Sequence, residues 1–279
     1  MTKIIAHTFL SVIMLTQVAF ASNFDGFDVK KHLVWSYFGG LAKFMVLTSD
    51  DTIGQEFVGK VGFINEQGKV VIPPIYDDAH TFEYANMGAV RQGNHWGFVD
   101  NTGKVLIDFE YDYVWTFTEG LVAVNKNGKW GYIDKTGNIV IDIGYDEVQD
   151  FSEGLANVRK DNRWYVIDKS GNVVLNTDYD KIKSFYHGLA GVSKDGKWGF
   201  MDKTGTLIIP LIYQEVRVFK NGLAGVKVNH QWGYIDTTNQ MIIPPIYDDV
   251  SNFHDDGIAW VTLNDEYFGI DKLGRRIDD

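Results

Sequence analysis

Five tryptophans, Trp96, Trp130, Trp164, Trp198 and Trp232, stand 34 residues apart, and four of the five are followed by glycine. So regular a period commits the chain to a stack of like supersecondary units, each burying its apolar face against its neighbours. Around each tryptophan the same phrase recurs: Y-D-x-V-x-x-F-x-x-G-L-A-x-V, a polar turn, K-W-G-Y-I-D, then K-T-G-N and an apolar run that often ends in Pro. Copies begin at Tyr76, Tyr111, Tyr145, Tyr179, Tyr213 and Tyr247. A degraded first copy starts near Val34, keeps Gly40-Leu41-Ala42 and has Val61-Gly62-Phe63-Ile64 in place of W-G-Y-I. Seven units then span residues 34–279.

Within a unit the apolar period is two. Leu121-Val122-Ala123-Val124 and Trp130-Gly131-Tyr132-Ile133 are short, dense runs bounded by turn residues, and no window sustains a helical stripe. The pair Asn127-Gly128 between them is a hairpin signal, since a type I′ turn needs positive φ at both central residues. In Asp134-Lys135-Thr136-Gly137 the carboxylate can accept backbone N–H groups while Gly takes the left-handed position. Asn239 replaces that Gly in one unit, and Asn is the residue that best tolerates the left-handed region. The Gly after Trp is of another kind, because Tyr165 replaces it once; close packing of a strand or ring against it is expected. Each unit is predicted to be an antiparallel meander of three or four short strands.

The K-W-G-Y-I-D core together with the G-L-A-x-V element resembles the WG (KWG) repeat family, over about Val34 to Ile277. That resemblance implies a β-rich, non-catalytic module of bacterial proteins. Departures fall at Val61 and Phe268 in the Trp column, Tyr165 in the Gly column and Gln214 after Tyr213. The fold expected is therefore all-β, a seven-unit repeat of antiparallel β-meanders in a propeller-like ring; an open superhelical β-repeat array is the alternative.

At the N-terminus, Lys3, the apolar stretch Ile4 to Phe20 and the small-x-small site Ala19-Phe20-Ala21 read as a signal peptide over residues 1–21. Residues 22–33 form a lead-in. The expected location is outside the cytoplasm, whether periplasmic, at the cell surface or secreted, with no membrane span after processing. The balance of 26 Lys plus Arg against 37 Asp plus Glu argues against a nucleic-acid partner, which needs clustered cations to neutralise phosphates. With no Cys, disulfides, thiolate metal sites and cysteine nucleophiles are excluded.

No nucleophile elbow, zinc helix, phosphate loop or dinucleotide fingerprint occurs, so no catalytic, cofactor-binding or metal residue is assigned and no cofactor is expected. The repeated carboxylates, Asp100, Asp134, Asp168, Asp202, Asp236 and Asp271, could form a calcium ladder, but one Asp per unit, with Lys135, Lys169 or Lys203 beside three of them, suits a turn better. More informative are the column-breaking residues. Trp35 and Trp115 follow the Val of V-x-x-F, where other units carry His80, Gln149, Lys183, Arg217 and Ser251; Trp260 falls in the x of G-L-A-x-V, otherwise small or polar. An insertion between Phe44 and Val61 adds Asp50, Asp51 and Phe57. These six residues are the candidate contacts. The expected function is an exported, non-catalytic scaffold that binds a protein or cell-envelope component; alternatives are a carbohydrate-binding module using the extra tryptophans, with a glycan as partner, and a propeller-type hydrolase.

Overall fold

The computed structural model describes residues 32–47, 59–80, 82 and 87–277. The stretch read as a signal peptide, the lead-in up to residue 31, and Asp50, Asp51 and Phe57 lie outside the described residues. Seven four-stranded antiparallel sheets follow one another along the chain, each a meander whose strands pair in sequence order. In the third unit the strands are Tyr113–Val114, Leu121–Lys126, Lys129–Asp134 and Ile139–Tyr145. This is the propeller-like, seven-unit all-β repeat expected from the sequence.

The turns follow the predicted chemistry. Asn127 and Gly128 have φ of 54° and 75°, as a type I′ hairpin requires. Asp134 Oδ1 accepts from Thr136 N at 2.8 Å, Thr136 Oγ1 at 2.7 Å and Asn138 N at 3.0 Å, and these bonds, led by the Thr136 hydroxyl, hold the Asp134 carboxyl down to about 2. The same two backbone bonds recur at Asp100, Asp168, Asp202, Asp236 and Asp271. The repeated carboxylates are occupied as turn acceptors.

The glycine after Trp answers to space. A Cβ on Gly131 would lie 2.6 Å from the Ile141 carbonyl oxygen, because the fourth strand bulges across the third at that point. Corresponding approaches at Gly62, Gly97, Gly199 and Gly233 are 2.5, 2.7, 2.3 and 2.4 Å. In the fourth unit Tyr165 forbids the crossing. There the fourth strand pairs Tyr165 with Asn176 and is only Val173–Asn176 long.

Alternation along each strand divides the apolar residues between two neighbours. In the third unit Leu121, Ala123, Tyr132 and Ile141 pack towards the fourth unit, whereas Val114, Phe117, Val122, Val124 and Ile133 pack back on the second. Five of the six interfaces place a ring of one unit against the Phe of the next: Phe63 on Phe82, Phe98 on Phe117, Tyr132 on Phe151, Phe200 on Phe219 and Tyr234 on Phe253, with centroids 4.7–5.3 Å apart. In the remaining interface Val166 meets Phe185. Each fully buried large side chain is worth roughly 1.5–3 kcal/mol. Polar clamps accompany the cores: the Glu119 carboxylate accepts from Gly154 N at 3.0 Å and pairs with Lys169 at 3.1 Å, and Glu153 repeats this with Gly188 and Lys203.

Among the described residues, six such cores join units one to seven in order. On the outer face of the first unit Ala42, Phe44 and Ile64, in the columns of Val122, Val124 and Ile133, form a small buried cluster of their own. Val34 beside them is 48% exposed where its counterparts Val114 and Val216 are fully buried, and on the last unit Trp260 is 36% exposed where its counterpart Ala123 is 1% exposed.

The seventh unit also corrects the column assignment. Val261 pairs with Phe268 as Val226 pairs with Gly233, so Phe268 occupies the Gly column and Tyr267 the Trp column. One extra residue lies between Phe253 and Gly257, compared with Phe219 to Gly222, so each later column of this unit stands 35 residues from its counterpart.

Candidate functional site

The three singled-out tryptophans occupy two columns, Trp35 and Trp115 after the Val of V-x-x-F and Trp260 in the x of G-L-A-x-V. The side chain after the Val of V-x-x-F lies over the ring of its own unit's W-G tryptophan. His80 covers Trp96 with centroids 4.5 Å apart, Trp115 covers Trp130 at 5.4 Å, Lys183 Nζ sits 5.0 Å above Trp198 and the Arg217 guanidinium 4.8 Å above Trp232. Long cationic chains suit this place because the aliphatic stem covers apolar surface while the charge meets the ring face. Burial there pushes the Lys183 amine below its ordinary value. Trp115 is thus a half-buried lid, packed against the core between the third and fourth units.

In the first unit the roles rotate. Val61 fills the Trp column, Trp35 supplies the ring, and Lys43 from the x column lies 4.6 Å over it while donating to the Ala79 carbonyl at 3.0 Å. In the fourth unit the lid residue is Gln149, which donates to the Ile182 carbonyl at 2.7 Å and accepts from Asn157 at 2.9 Å and from Ser184 at 3.1 Å. Trp35, Trp115 and Trp260 therefore serve units one, three and seven separately, and the fold does not gather them into one site.

The seventh unit inverts the pattern. In units two, three, five and six the x residue of G-L-A-x-V is small and faces a ring across the strands: Ala89 opposite Phe98, Ala123 opposite Tyr132, Gly191 opposite Phe200 and Gly225 opposite Tyr234. Here Trp260 stands opposite Gly269. Its indole fills the space above Gly269 and stacks on Tyr267, with centroids 5.3 Å apart and planes 14° from parallel. The lid position holds Ser251, whose hydroxyl accepts from Trp260 N at 2.9 Å and is too short to cover a ring. Trp260 and Tyr267 are consequently 36% and 67% exposed, whereas Trp232 is 2% exposed. A cavity of about 450 Å³ adjoins the pair, walled by the loops after Val216 and Val250. Tyr267 escapes the sequence reading, which puts Phe268 in the Trp column; strand register finds it.

A second feature runs along the fourth strands. Their burial alternates, with Ile107, Phe109 and Tyr111 turned inward and Leu106, Asp108 and Glu110 outward. The first two positions are apolar and exposed in unit after unit: Val105 and Leu106, Ile139 and Val140, Val173 and Val174, Leu207 and Ile208, all 37–55% exposed. Further along the strand, Ile75, Ile212 and Ile246 are also exposed. One aliphatic pair per sheet makes a row across the array. An apolar run is readily read as core; here the alternation, with a bulge beside it, turns part of the run outward.

Among the described residues, no group of three or more His, Asp or Glu side chains could hold a metal ion.

The sequence profile described as "WG containing repeat" matches six consecutive segments, residues 62–95, 96–130, 130–164, 166–198, 198–229 and 232–267. No curated protein matches the chain. Among solved structures, a crystal structure titled as that of the eukaryotic initiation factor is similar in fold, with a TM-score of 0.58 at 12% identity over 87% of this chain and 76% of that one. Hsv2 of Kluyveromyces lactis aligns with a TM-score of 0.46 at 10% identity, over 85% of this chain and 92% of that one. Dihydro-heme d1 dehydrogenase NirN, in complex with DHE, aligns at 0.47 and 12% identity, over 93% and 66%.

Proposed function

Because the chain belongs to the WG repeat family, whose profile covers most of it, we propose that it is an exported, non-catalytic scaffold that holds a partner protein of the cell envelope along its fourth strands. The observation that carries this reading is the aliphatic row, Leu106, Val140, Val174 and Ile208, on consecutive sheets. Soluble monomers seldom leave a periodic apolar surface of this kind uncovered. The cores between units need none of these side chains, since the inward residues Ile107, Ile141 and Ile209 supply the packing. Backbone pairing to the open strand edge is a poorer mode, because Pro73, Pro74, Pro210, Pro244 and Pro245 remove donors from the fourth strands of units one, five and six. Recognition would therefore run through side chains. Asp108, Glu110 and Asp142 flank the row and favour a partner with basic residues beside its apolar ones.

The test is capture from an envelope fraction with the full chain and with a variant carrying Leu106→Lys, Val140→Lys, Val174→Lys and Ile208→Lys. A protein retained by the parent and lost by a variant of unchanged melting temperature supports the reading. Equal retention by both would remove the row from consideration. Export is checked separately by intact mass of protein recovered outside the cytoplasm, which should begin at Ser22.

A further inference from the structure

We infer that the exposed aromatic pair of the seventh unit, Trp260 and Tyr267, is a binding platform for a neutral pyranose ring. This site lies on the end face of the last unit, apart from the aliphatic row, and does not rest on that row's having a partner.

Three observations converge on it. First, the lid is missing: where Arg217 covers Trp232 and Trp115 covers Trp130, the short Ser251 leaves the aromatic pair open. Second, the inverted order of large and small residues stacks Trp260 nearly parallel on Tyr267 as an offset pair with ring face open to solvent, where the other units hold their rings tilted or edge-on within a core. Flat aromatic surface suits the C–H face of a sugar ring, which is apolar although its rim is not. Third, the adjoining cavity of about 450 Å³ falls within the range of small-molecule sites and has a polar wall of Arg217, Asp249, Asn252, His254 and Thr262.

The charges of that wall are already balanced. The Arg217 guanidinium donates to Asp249 at 2.9 Å, and Lys220 pairs with Asp255 at 3.2 Å. A charged ligand would have to break one of these pairs, whereas hydroxyl groups can share the remaining donors and acceptors. A neutral polyol ring therefore fits better than an anion or an ammonium group.

The first unit of a second copy, or of the same chain, is the obvious rival occupant, since every other unit has its equivalent face covered by a following unit. The swap disfavours it. Five of the six internal interfaces key on a ring in the column that here holds Gly269, so the feature that a following unit would grip is gone.

The experiment uses the full chain, with cellotetraose, maltotetraose and chitotetraose as neutral probes and tetramethylammonium as a cationic one. Tryptophan fluorescence and saturation-transfer NMR read binding. Two variants accompany it: Tyr267→Ala, which truncates a mostly exposed ring, and Ser251→Arg, which restores the lid of the sixth unit. Binding of at least one tetrasaccharide at millimolar concentration, weakened at least about tenfold in both variants with melting temperatures unchanged, is the expected result. Three results would overturn the proposal: no tetrasaccharide bound, saccharide binding indifferent to both variants, or binding of tetramethylammonium alone. Concentration-dependent self-association of the parent that both variants abolish would also overturn it, in favour of a second copy. If Tyr267→Ala unfolds the chain, Ser251→Arg alone decides, because it adds a side chain already tolerated at the same position of the preceding unit.

Discussion

Three glycines of the third unit meet three different physical constraints, and alanine at each should give three different outcomes. At Gly131 a Cβ would sit 2.6 Å from the Ile141 carbonyl oxygen and 2.8 Å from Ile143 Cα, both backbone atoms. Neither can rotate away, so the strand Ile139–Tyr145 must move, and with it Ile141, 3% exposed in the core against the fourth unit. Gly131→Ala should cost about 3 kcal/mol, the upper part of the range for overpacking. At Gly128, with φ of 75° and no atom within 4 Å of a built Cβ, only backbone strain opposes the change, and about 1 kcal/mol is expected. Gly144 has neither a positive φ nor a close neighbour, so alanine there should be neutral or stabilise by about 0.4–1 kcal/mol through the unfolded chain. Urea unfolding followed by far-UV circular dichroism and tryptophan emission gives the order directly. The reasoning is refuted if Gly131→Ala melts with Gly144→Ala, or if Gly128→Ala is the most damaging of the three.

Trp232→Ala should cost about 3–5 kcal/mol, as for a large buried ring, and Trp115→Ala, which removes a half-buried lid, about 1–2 kcal/mol; thermal melts giving equal losses would contradict the assignment of lids. Asp150 is raised from 3.8 to about 6 by burial, so the folded state holds its proton more tightly than the unfolded one and stability falls as pH climbs from about 4 to about 6. Asp150→Asn should therefore stabilise at pH 7.5 by about 1 kcal/mol, discounted for partial exposure, and hardly at all at pH 4; an equal gain at both values in urea melts would refute the burial argument. A chain ending before Tyr247 loses the core between units six and seven and exposes Trp232 and Tyr234, but keeps the other five cores. It should remain folded with a lower melting temperature, and loss of its β circular-dichroism signal would point instead to closure between the two ends.

The parts legible in the sequence are those where one residue meets a local demand. Asp134 with Gly137, and Asn127 with Gly128, are fixed by turn geometry, so each unit announces its own turns and strand lengths. The spacing of the tryptophans gives the period for the same reason. Less legible is anything that depends on the partner of a side chain. The column of His80, Trp115, Gln149, Lys183 and Arg217 looks polar, which suggests solvent, yet its members lay their stems or rings on a tryptophan of the same unit. Gln149 is the exception and satisfies carbonyl and amide groups in place of covering a ring. Closure is illegible in a repeat, because the period records what each unit shares with its neighbours and not the angle between them. Tyr267 is found only from strand register, which pairs Val261 with Phe268 and so sets Tyr267 in the tryptophan column.

The exceptions to the pattern also explain where binding can reside. In an array whose every unit covers its predecessor, an internal column change must be compensated within the same interface, as Tyr165 is by a shortened fourth strand and Val61 by Trp35 with Lys43. On the last unit the outward columns are partly exposed, Trp260 by 36% and Tyr267 by 67%. Trp260, Gly269 and Ser251 can then depart together from the shared pattern while the inward residues Val250, Phe253, Val261 and Ile270 stay buried. The fold is held by one face and released on the other. A platform at the end and a row along the fourth strands use different side chains, so the two could be occupied at once, and a lysine-substituted row should leave the aromatic pair unaffected.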